Sequence, residues 1–146
     1  MIAYTDAFKT EISTIGERAF AGCTLEKVSA GWFDWGRASL ESGFDLHGYR
    51  AVVDTHAMWH TLKNHGIAAE EKRGQKRINV KDFEWLPSIL AKPDSIARLG
   101  LTRIGREVLG FEKAIGEWRF RAAMEVRTGR RELALVSFYT VGKSDA

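Results

Sequence analysis

Three of the four histidines of this chain lie in one short stretch, residues 54–66, together with a lysine. If the stretch is helical, His56, His60 and Lys63 fall on one face, because successive residues of an α-helix turn by about 100°. Imidazoles can accept and donate protons near neutral pH, and an ammonium group can hold negative charge. These residue types are costly in a hydrophobic core, so the stretch is better suited to one wall of a cleft.

Local signals predict that this helix runs between Asp54 and Gly66. Asp54 or Thr55 can act as the N-cap, and Gly66 suits the position after the last turn. His65 stands where the helix should end, so the cap and not the helical wheel sets its direction. No Glu follows His56 as the H-E-x-x-H zinc pattern requires, and no acidic cluster supplies further ligands. We therefore expect neither a metal site nor a cofactor.

A second group of candidate residues lies in the last third of the chain, where the hydrophobic period changes from 3.6 to 2. The predicted strands are residues 106–115, 117–127 and 131–141, with residues 96–101 as a candidate fourth. Because side chains alternate along a strand, five residues of the last strand are predicted to lie on one face: Leu133, Leu135, Ser137, Tyr139 and Val141. Arginines alternate along the preceding strand, at 119, 121 and 127. If the loop between the last two strands has three residues, the arginines lie on the same face as Ser137 and Tyr139. If it has two residues, they lie on the opposite face. The sequence is compatible with either loop length.

The remaining elements are predicted from periodicity and caps. The predicted helices are residues 5–20, 32–41 and 79–91, residues 23–30 fit a short strand or a helix start, and residues 44–53 are expected to be extended. The charged run 70–77 lacks apolar periodicity and is expected to be a mobile surface loop. Helices followed by an antiparallel meander predict an α+β fold, with N-terminal helices packed on a roughly four-stranded antiparallel sheet.

Size and composition are those of one ordinary globular domain. The chain has 146 residues, with 45% apolar and 28% charged residues, so we expect a single domain over residues 1–146, with residues 1–22 as a candidate peripheral helix. Cys23 is the only cysteine, which excludes an internal disulfide and a Cys-based zinc site. No apolar run is long enough for a signal peptide or a membrane span. We therefore expect no membrane partner.

The net charge of +3 is unevenly distributed. Residues 1–55 hold 5 basic and 8 acidic residues, whereas residues 56–146 hold 17 basic and 11 acidic residues. A basic C-terminal part is typical of proteins that bind a polyanion, although a solvated basic surface has the same composition. Charge alone therefore makes nucleic acid a candidate partner.

The combination of His, Lys, Arg, Ser and Tyr without organised carboxylates fits metal-free cleavage of RNA. In that reaction the 2′-hydroxyl loses a proton, the leaving 5′-oxygen gains one, and the phosphorane between them carries extra negative charge. Imidazoles can serve both proton transfers, and cationic side chains can stabilise the charge. The basic residues expected to contact RNA are Lys63, Arg119, Arg121 and Arg127.

Three sequence blocks, in this order, resemble the phage-borne branch of the barnase/EndoU/colicin/RelE-like nucleases. The blocks are residues 60–66 (HTLKNHG), 82–94 (DFEWLPSILAKPD) and 125–139 (EVRTGRRELALVSFY). The resemblance spans about residues 23–141 and implies helices packed against a four-stranded antiparallel sheet, with RNA held in the cleft between them. It also implies the catalytic positions, which are His65, His60, Lys113, Ser137 and Tyr139.

The resemblance implies that the protein is a metal-independent endoribonuclease of the toxin or effector type. It would cut RNA, with tRNA as one candidate, and leave a 2′,3′-cyclic phosphate. Its His65 would act as general base or acid, assisted by His60 or Tyr139, while Lys113 neutralises the scissile phosphate and Ser137 binds it. Such a domain would act in the cytoplasm, delivered from a larger secreted or phage protein, and would require a cognate immunity protein. The alternatives are a non-catalytic nucleic-acid-binding or packaging domain of a phage structural protein, and a plain interaction domain.

Overall fold

Residues 27–144 are described by a computed structural model of the chain, and they form one mixed sheet with helices against it. The strands are β1 Lys27–Gly31, β2 Arg50–Asp54, β3 Ser95–Leu101, β4 Glu107–Ile115, β5 Trp118–Arg127 and β6 Glu132–Lys143. The helices are α1 Trp35–Ser42, α2 Thr55–His65, α3 Ala68–Lys72 and α4 Leu86–Ala91, with a 3-10 helix, Val80–Trp85, directly before α4. The predicted helix at residues 5–20 and the lone Cys23 lie outside the described residues.

The sheet has the strand order β1-β2-β6-β5-β4-β3. The predicted meander of β3 to β6 is confirmed, and each neighbouring pair within it is antiparallel. The prediction of about four purely antiparallel strands is wrong, because β1 and β2 extend the sheet to six strands and β2 runs parallel to β6. Periodicity shows that a segment is extended but not where it pairs, and here Arg50 pairs with Glu132, which lies far along the chain.

Helix α2 follows β2 without a loop and lies beside β6, as its end signals require. The Asp54 carboxylate accepts a hydrogen bond from the Ala57 amide at 2.8 Å, so Asp54 is the N-cap. A Cβ atom on Gly66 would lie 2.6 Å from the Leu62 carbonyl oxygen and 2.7 Å from that of Ile78. The chain can therefore make this close approach after the helix only with glycine, and the predicted helix is confirmed in both its ends.

The core occupies the sheet face that the helices cover. The large buried side chains there include Phe111, Phe120, Phe138, Met124, Phe83, Leu86, Ile89 and Leu90. The last four come from the segment predicted as a helix over 79–91, which forms a 3-10 turn capped by Asn79 and then α4. The predicted helix at 32–41 corresponds to α1, whereas only residues 50–53 of the expected extended segment 44–53 belong to a strand, β2, which ends at Asp54.

The charged run at residues 70–77 is not the free surface loop that its composition predicts. Its first part belongs to α3, and Glu70 is buried. The Gln75 side-chain oxygen accepts hydrogen bonds from the Thr140 hydroxyl at 2.8 Å and from the Gly142 amide at 2.7 Å. The run is thus fixed to the end of β6, because its polar groups satisfy backbone and side-chain groups of that strand.

Candidate active site

A β-bulge in β6 decides which side chains share a face. Leu135 pairs with Met124 and Ser137 pairs with Ala123, so Val136 is an extra residue in β6. Leu135 consequently lies in the core, while Ser137 is turned to the other face of the sheet. The prediction that Leu133 and Leu135 share a face with Ser137 and Tyr139 is therefore wrong.

The bulge and the register bring the arginines of β5 to the same face as Ser137 and Tyr139. Arg121 is opposite Tyr139, and Ala123 is opposite Ser137. We call this side of the sheet the polar face, and we define it by five residues, Arg121, Glu125, Arg127, Ser137 and Tyr139. The question that the turn length left open is thus answered by the bulge together with a loop of residues 128–131 between the two strands.

His65, the last residue of α2, reaches the polar face and is held there from two sides. Its ring stacks on that of Tyr139, with 4.9 Å between centroids and 26° between planes. Its Nδ1 lies 3.2 Å from a carboxylate oxygen of Glu70. A carboxylate at this nitrogen favours the tautomer with the proton on Nδ1, which leaves Nε2 as the proton acceptor.

Glu70 is a functional candidate that the sequence reasoning missed. Its side chain is 4% exposed, and its other oxygen accepts a hydrogen bond from Arg73 at 2.7 Å. Its composition indicated that the charged run at residues 70–77 is exposed to solvent, so Glu70 was not considered. The expectation that no carboxylate is positioned at the site is wrong for Glu70, because this carboxylate contacts His65. The available signal was a Glu five residues after His65, the last residue of the predicted helix, and no helical or strand period singles out this spacing.

Arg121 lies beside Tyr139 and keeps one donor unpaired. Its Nη2 is 3.0 Å from Glu112, and its guanidinium carbon is 5.8 Å from the centroid of the Tyr139 ring. Its buried Nε has no hydrogen-bond partner among the described residues. Burial disfavours the charged form, but hydrogen bonds with Tyr139 and Glu112 outweigh it and raise the pKa of Arg121. The cation is therefore permanent, and one N–H remains for a ligand.

The Ser137 hydroxyl is the second unpaired donor on the polar face. The residue is 8% exposed, and its Oγ has no hydrogen-bond partner within residues 27–144. Such a buried group costs about 1–3 kcal/mol unless a ligand satisfies it. Since Ser137 is diagonal to Arg121 across the β5–β6 pair, the two donors can converge on one anion.

Lys113 does not join this group. It pairs with Phe120 and alternates with residues of the polar face, so it lies on the side of the sheet that the helices cover. Its ammonium group donates a hydrogen bond to the Lys92 carbonyl at 2.7 Å, just after α4. The prediction that Lys113 shares a cleft with Ser137 and Tyr139 is wrong, because the strand that carries it was foreseen but its register was not.

The other candidates on α2 precede His65 along the helix, with half-buried His60 at its middle and exposed Lys63 in its last turn. Burial and the neighbouring His56, His65 and Lys63 lower the pKa of His60, which favours the neutral imidazole. The Lys63 ammonium lies 4.7 Å from the centroid of the Trp59 ring, a cation–π contact. Neither residue touches the Tyr139 ring in the contacts described, so both are placed along the helix from His65 and not against it.

The remaining predicted arginines occupy different environments. Arg127 Nε is 2.7 Å from Glu125, and its other nitrogens lie 3.8 Å from Asp54 and 3.7 Å from Glu132. Glu132 is 2% exposed, and although burial acts against ionisation, hydrogen bonds from Lys27 and Arg50 lower its pKa. Arg119 pairs with Ala114 and has the same alternation as Arg121. Arg127 is thus part of a buried charge network.

No group of three or more His, Cys, Asp or Glu side chains in residues 27–144 could hold a metal ion. None of the described helices has the length and apolar character needed to cross a bilayer.

A histidine held by a carboxylate, a tyrosine stacked on that histidine and an arginine beside the tyrosine lie together on one sheet face, and such groups can transfer protons and hold a phosphate. The family model described as phage-Barnase-EndoU-ColicinE5/D-RelE like nuclease3 matches residues 37–146, and the chain belongs to this family of nucleases. The predicted resemblance is therefore confirmed. Neither the curated proteins nor the solved structures contain a match to the chain.

Proposed function

We propose that this nuclease is a metal-independent endoribonuclease whose reaction takes place on the polar face at His65. The observation that carries the proposal is the position of this imidazole. It lies between the Glu70 carboxylate and the Tyr139 ring, on the face that also holds the unpaired donors of Arg121 and Ser137. A group that can transfer protons, His65, thus lies on the same face as two groups that can bind an anion, Arg121 and Ser137.

The chemistry divides between these groups. The 2′-oxygen loses its proton and attacks phosphorus, the bond from phosphorus to the 5′-oxygen breaks, and the 5′-oxygen takes up a proton. The products are a 2′,3′-cyclic phosphate and a 5′-hydroxyl. His65 serves one proton transfer, and Tyr139 or His60 serves the other. Glu70 stabilises the imidazolium that forms when His65 is the base.

Arg121 and Ser137 bind the phosphorane in this scheme. An arginine with a free N–H and a hydroxyl without a partner gain hydrogen bonds when the phosphate arrives, and charged hydrogen bonds strengthen as negative charge develops. Arg121 therefore takes the role that the family resemblance implied for Lys113. The remaining basic candidates, Lys63 and Arg119, bind the RNA backbone outside the reacting phosphate.

The proposal includes a biological setting. The domain acts on RNA in the cytoplasm as a toxin or effector delivered by a larger secreted or phage protein, with tRNA as one candidate substrate. Its partner is a cognate inhibitor protein that covers the site. The support is membership of a phage-related nuclease family and the excess of basic residues in the second part of the chain.

The test is incubation of the purified protein with total RNA in EDTA. We expect fragments with 2′,3′-cyclic phosphate ends, identified by mass spectrometry, and about 10²–10⁴-fold slower formation of these fragments with a His65→Ala variant prepared in parallel. Cleavage that requires added divalent metal, or fragments with 5′-phosphate ends, would contradict the mechanism.

The second candidate is a nucleic-acid-binding or packaging domain without catalysis. The observation in its favour is the same basic composition, 17 basic against 11 acidic residues from position 56 onward. Salt-dependent RNA binding with no cleavage under any metal condition would support this function.

A further inference from the structure

A cavity of about 310 Å³ lies between the start of α2 and the hairpin that joins β3 to β4. Its walls include His56, His60, Arg103, Ile104, Glu125 and Val136. We call it the hairpin cavity. Its volume is near the lower limit of about 300 Å³ for small-ligand pockets, and apolar walls with a few fixed polar groups are typical of such pockets.

Glu125 is the fixed polar group of the hairpin cavity. Arg106 at 3.1 Å and Arg127 at 2.7 Å both contact the same carboxylate oxygen, Oε1. The second oxygen, Oε2, accepts no hydrogen bond within the described part of the chain. Two arginines thus hold the Glu125 carboxylate in place and leave one acceptor unused.

Two residues of the hairpin make the cavity suitable for part of a nucleotide. Ile104 is 72% exposed and supplies an apolar wall against which a flat ring can lie. Arg103 is exposed and forms no ion pair or hydrogen bond with residues 27–144, so its charge is available for a phosphate. On the opposite wall, His60 precedes His65 by five residues, roughly 7–8 Å along the helix axis. A base bound here would therefore lie about one nucleotide from His65.

The unused oxygen decides which bases fit. A carboxylate only accepts hydrogen bonds, so it favours ligands that present N–H donors. Cytosine, adenine and guanine carry an exocyclic amino group, as in the pairing of Glu with cytosine N4. Uracil has two carbonyl oxygens around its single ring N–H, and these would face the carboxylate with like partial charge.

We propose that the hairpin cavity is a base subsite that selects a nucleotide with an exocyclic amino group next to the scissile phosphate. This inference rests on the proposed function, since it takes RNA as the substrate. Glu125 is the residue that discriminates, Arg106 and Arg127 position it, and Arg103 contacts the backbone of the bound nucleotide.

The first experiment measures cleavage of DNA oligonucleotides that contain one ribonucleotide. In one series the base of the ribonucleotide is varied, and in the other the base that follows it. With the native protein we expect kcat/KM for cytosine, adenine or guanine to exceed that for uracil by about 5–150-fold at one of the two positions. The ranking among the three amino bases then identifies the one that fits best.

The variant Glu125→Gln keeps the size of the side chain but adds an amide donor in place of a pure acceptor. We expect it to reduce the preference over uracil to less than about threefold. The matched control is Glu107→Gln on the neighbouring strand, where the carboxylate pairs with Arg98 at 2.7 Å and does not line the cavity. The control should keep the full preference, with thermal unfolding confirming that both variants are folded.

A second measurement separates this inference from the proposed function. Oligonucleotides made wholly of DNA lack the attacking 2′-hydroxyl, so their binding reports base selection without cleavage. If no ribonucleotide is cut but binding of these oligonucleotides shows the preference, and Glu125→Gln abolishes it, the subsite stands and the endoribonuclease proposal falls. If cleavage occurs without base preference, or if Glu107→Gln loses the preference equally, the subsite is overturned.

Discussion

Arg121 and Arg127 lie on the same face of the same strand, six positions apart, and they serve different purposes. Arg127 is surrounded by three carboxylates, those of Glu125, Asp54 and Glu132. Arg121 has one carboxylate partner, Glu112, a contact with an aromatic ring, and an Nε without a partner among the described residues. The charge of Arg127 is neutralised by carboxylates of the protein itself, whereas Arg121 keeps an N–H group without a partner among the described residues.

This difference divides the polar face into two ends. The His65 end comprises His65, Glu70, Arg121, Ser137 and Tyr139, and the Arg127 end comprises Asp54, Arg127 and Glu132. Buried polar groups that are satisfied stabilise the fold, and those left unsatisfied weaken it unless a ligand completes them. Changes at the His65 end should therefore alter activity more than stability, and changes at the Arg127 end should do the reverse.

Replacement of His65 gives the largest expected effect. The variant His65→Ala should lower RNA cleavage by about 10²–10⁴-fold, because it removes a general acid or base. Its melting temperature should stay close to that of the native protein, since the ring is a partly exposed group at a helix end. The matched control His47→Ala removes an exposed imidazole on a turn and should change neither quantity. A variant that unfolds while its folded fraction cuts RNA normally would mean that His65 is only a structural cap.

Glu70 should act through His65 and not on the substrate. Glu70→Gln can present an amide donor to Nδ1 and so favour the wrong tautomer, and we expect kcat to fall by about 10²-fold with KM nearly unchanged. The control is Arg73→Ala, which removes the Arg73–Glu70 ion pair but leaves the contact between Glu70 and His65 in place. A rise in KM without a fall in kcat would show that Glu70 supports RNA binding and not the orientation of the imidazole.

The helix that carries the histidines could be predicted because its signals are local. An N-cap acid, a helical period and a terminal glycine lie within residues 54–66, and each has a direct physical consequence in the fold. The hairpin strands were predictable for the same reason, since alternation over about ten residues is a local property. The pairing of β2 with β6 was not, because it depends on contacts between distant parts of the chain.

The candidate site was harder to predict than the fold because single-residue shifts decide it. One extra residue at Val136 turns Ser137 and Tyr139 away from the core. The register of β4 places Lys113 on the opposite face of the sheet. The short helix after Gly66 buries Glu70 beside His65, although its charged neighbours in the sequence suggested an exposed position. None of these shifts changes composition or period, so the residue types indicated the chemistry while the assignment of partners required coordinates.

The comparison of the two arginines can be tested directly with a matched pair of substitutions. Arg121→Lys removes the Nε donor and should reduce cleavage by about 10- to 100-fold while stability changes little. Arg127→Lys breaks contacts inside a buried charge network, which typically costs a few kcal/mol, and should lower the urea midpoint by about 1 M or more. If Arg121→Lys unfolds the protein and Arg127→Lys abolishes activity without unfolding it, the division into two ends is wrong.

Ser137→Ala should change activity and stability in opposite directions. Removal of an unsatisfied hydroxyl should raise the free energy of unfolding by about 1 kcal/mol, while the loss of one hydrogen bond to phosphate should lower cleavage by roughly tenfold. Urea unfolding and kcat/KM measured on the same preparation test both signs. Destabilisation by Ser137→Ala would show that the hydroxyl already has a partner in solution.

The smallest expected effect is the pH dependence of stability that His60 contributes near the middle of α2. Burial and the neighbouring His56, His65 and Lys63 lower its pKa in the folded state, whereas the unfolded value is about 6.5. The unfolded chain therefore binds a proton first as the pH falls, so stability is complete above about pH 6.5 and decreases as the pH falls through the lower folded value. The variant His60→Gln should lose less stability than the native protein between pH 7.5 and about 5.

Urea unfolding across this pH range measures the difference. The range lies above the more acidic pH at which Glu132, whose pKa is also lowered, becomes protonated and loses its contribution to stability. Equal losses in both proteins would show that His60 is not desolvated by α2 and the polar face.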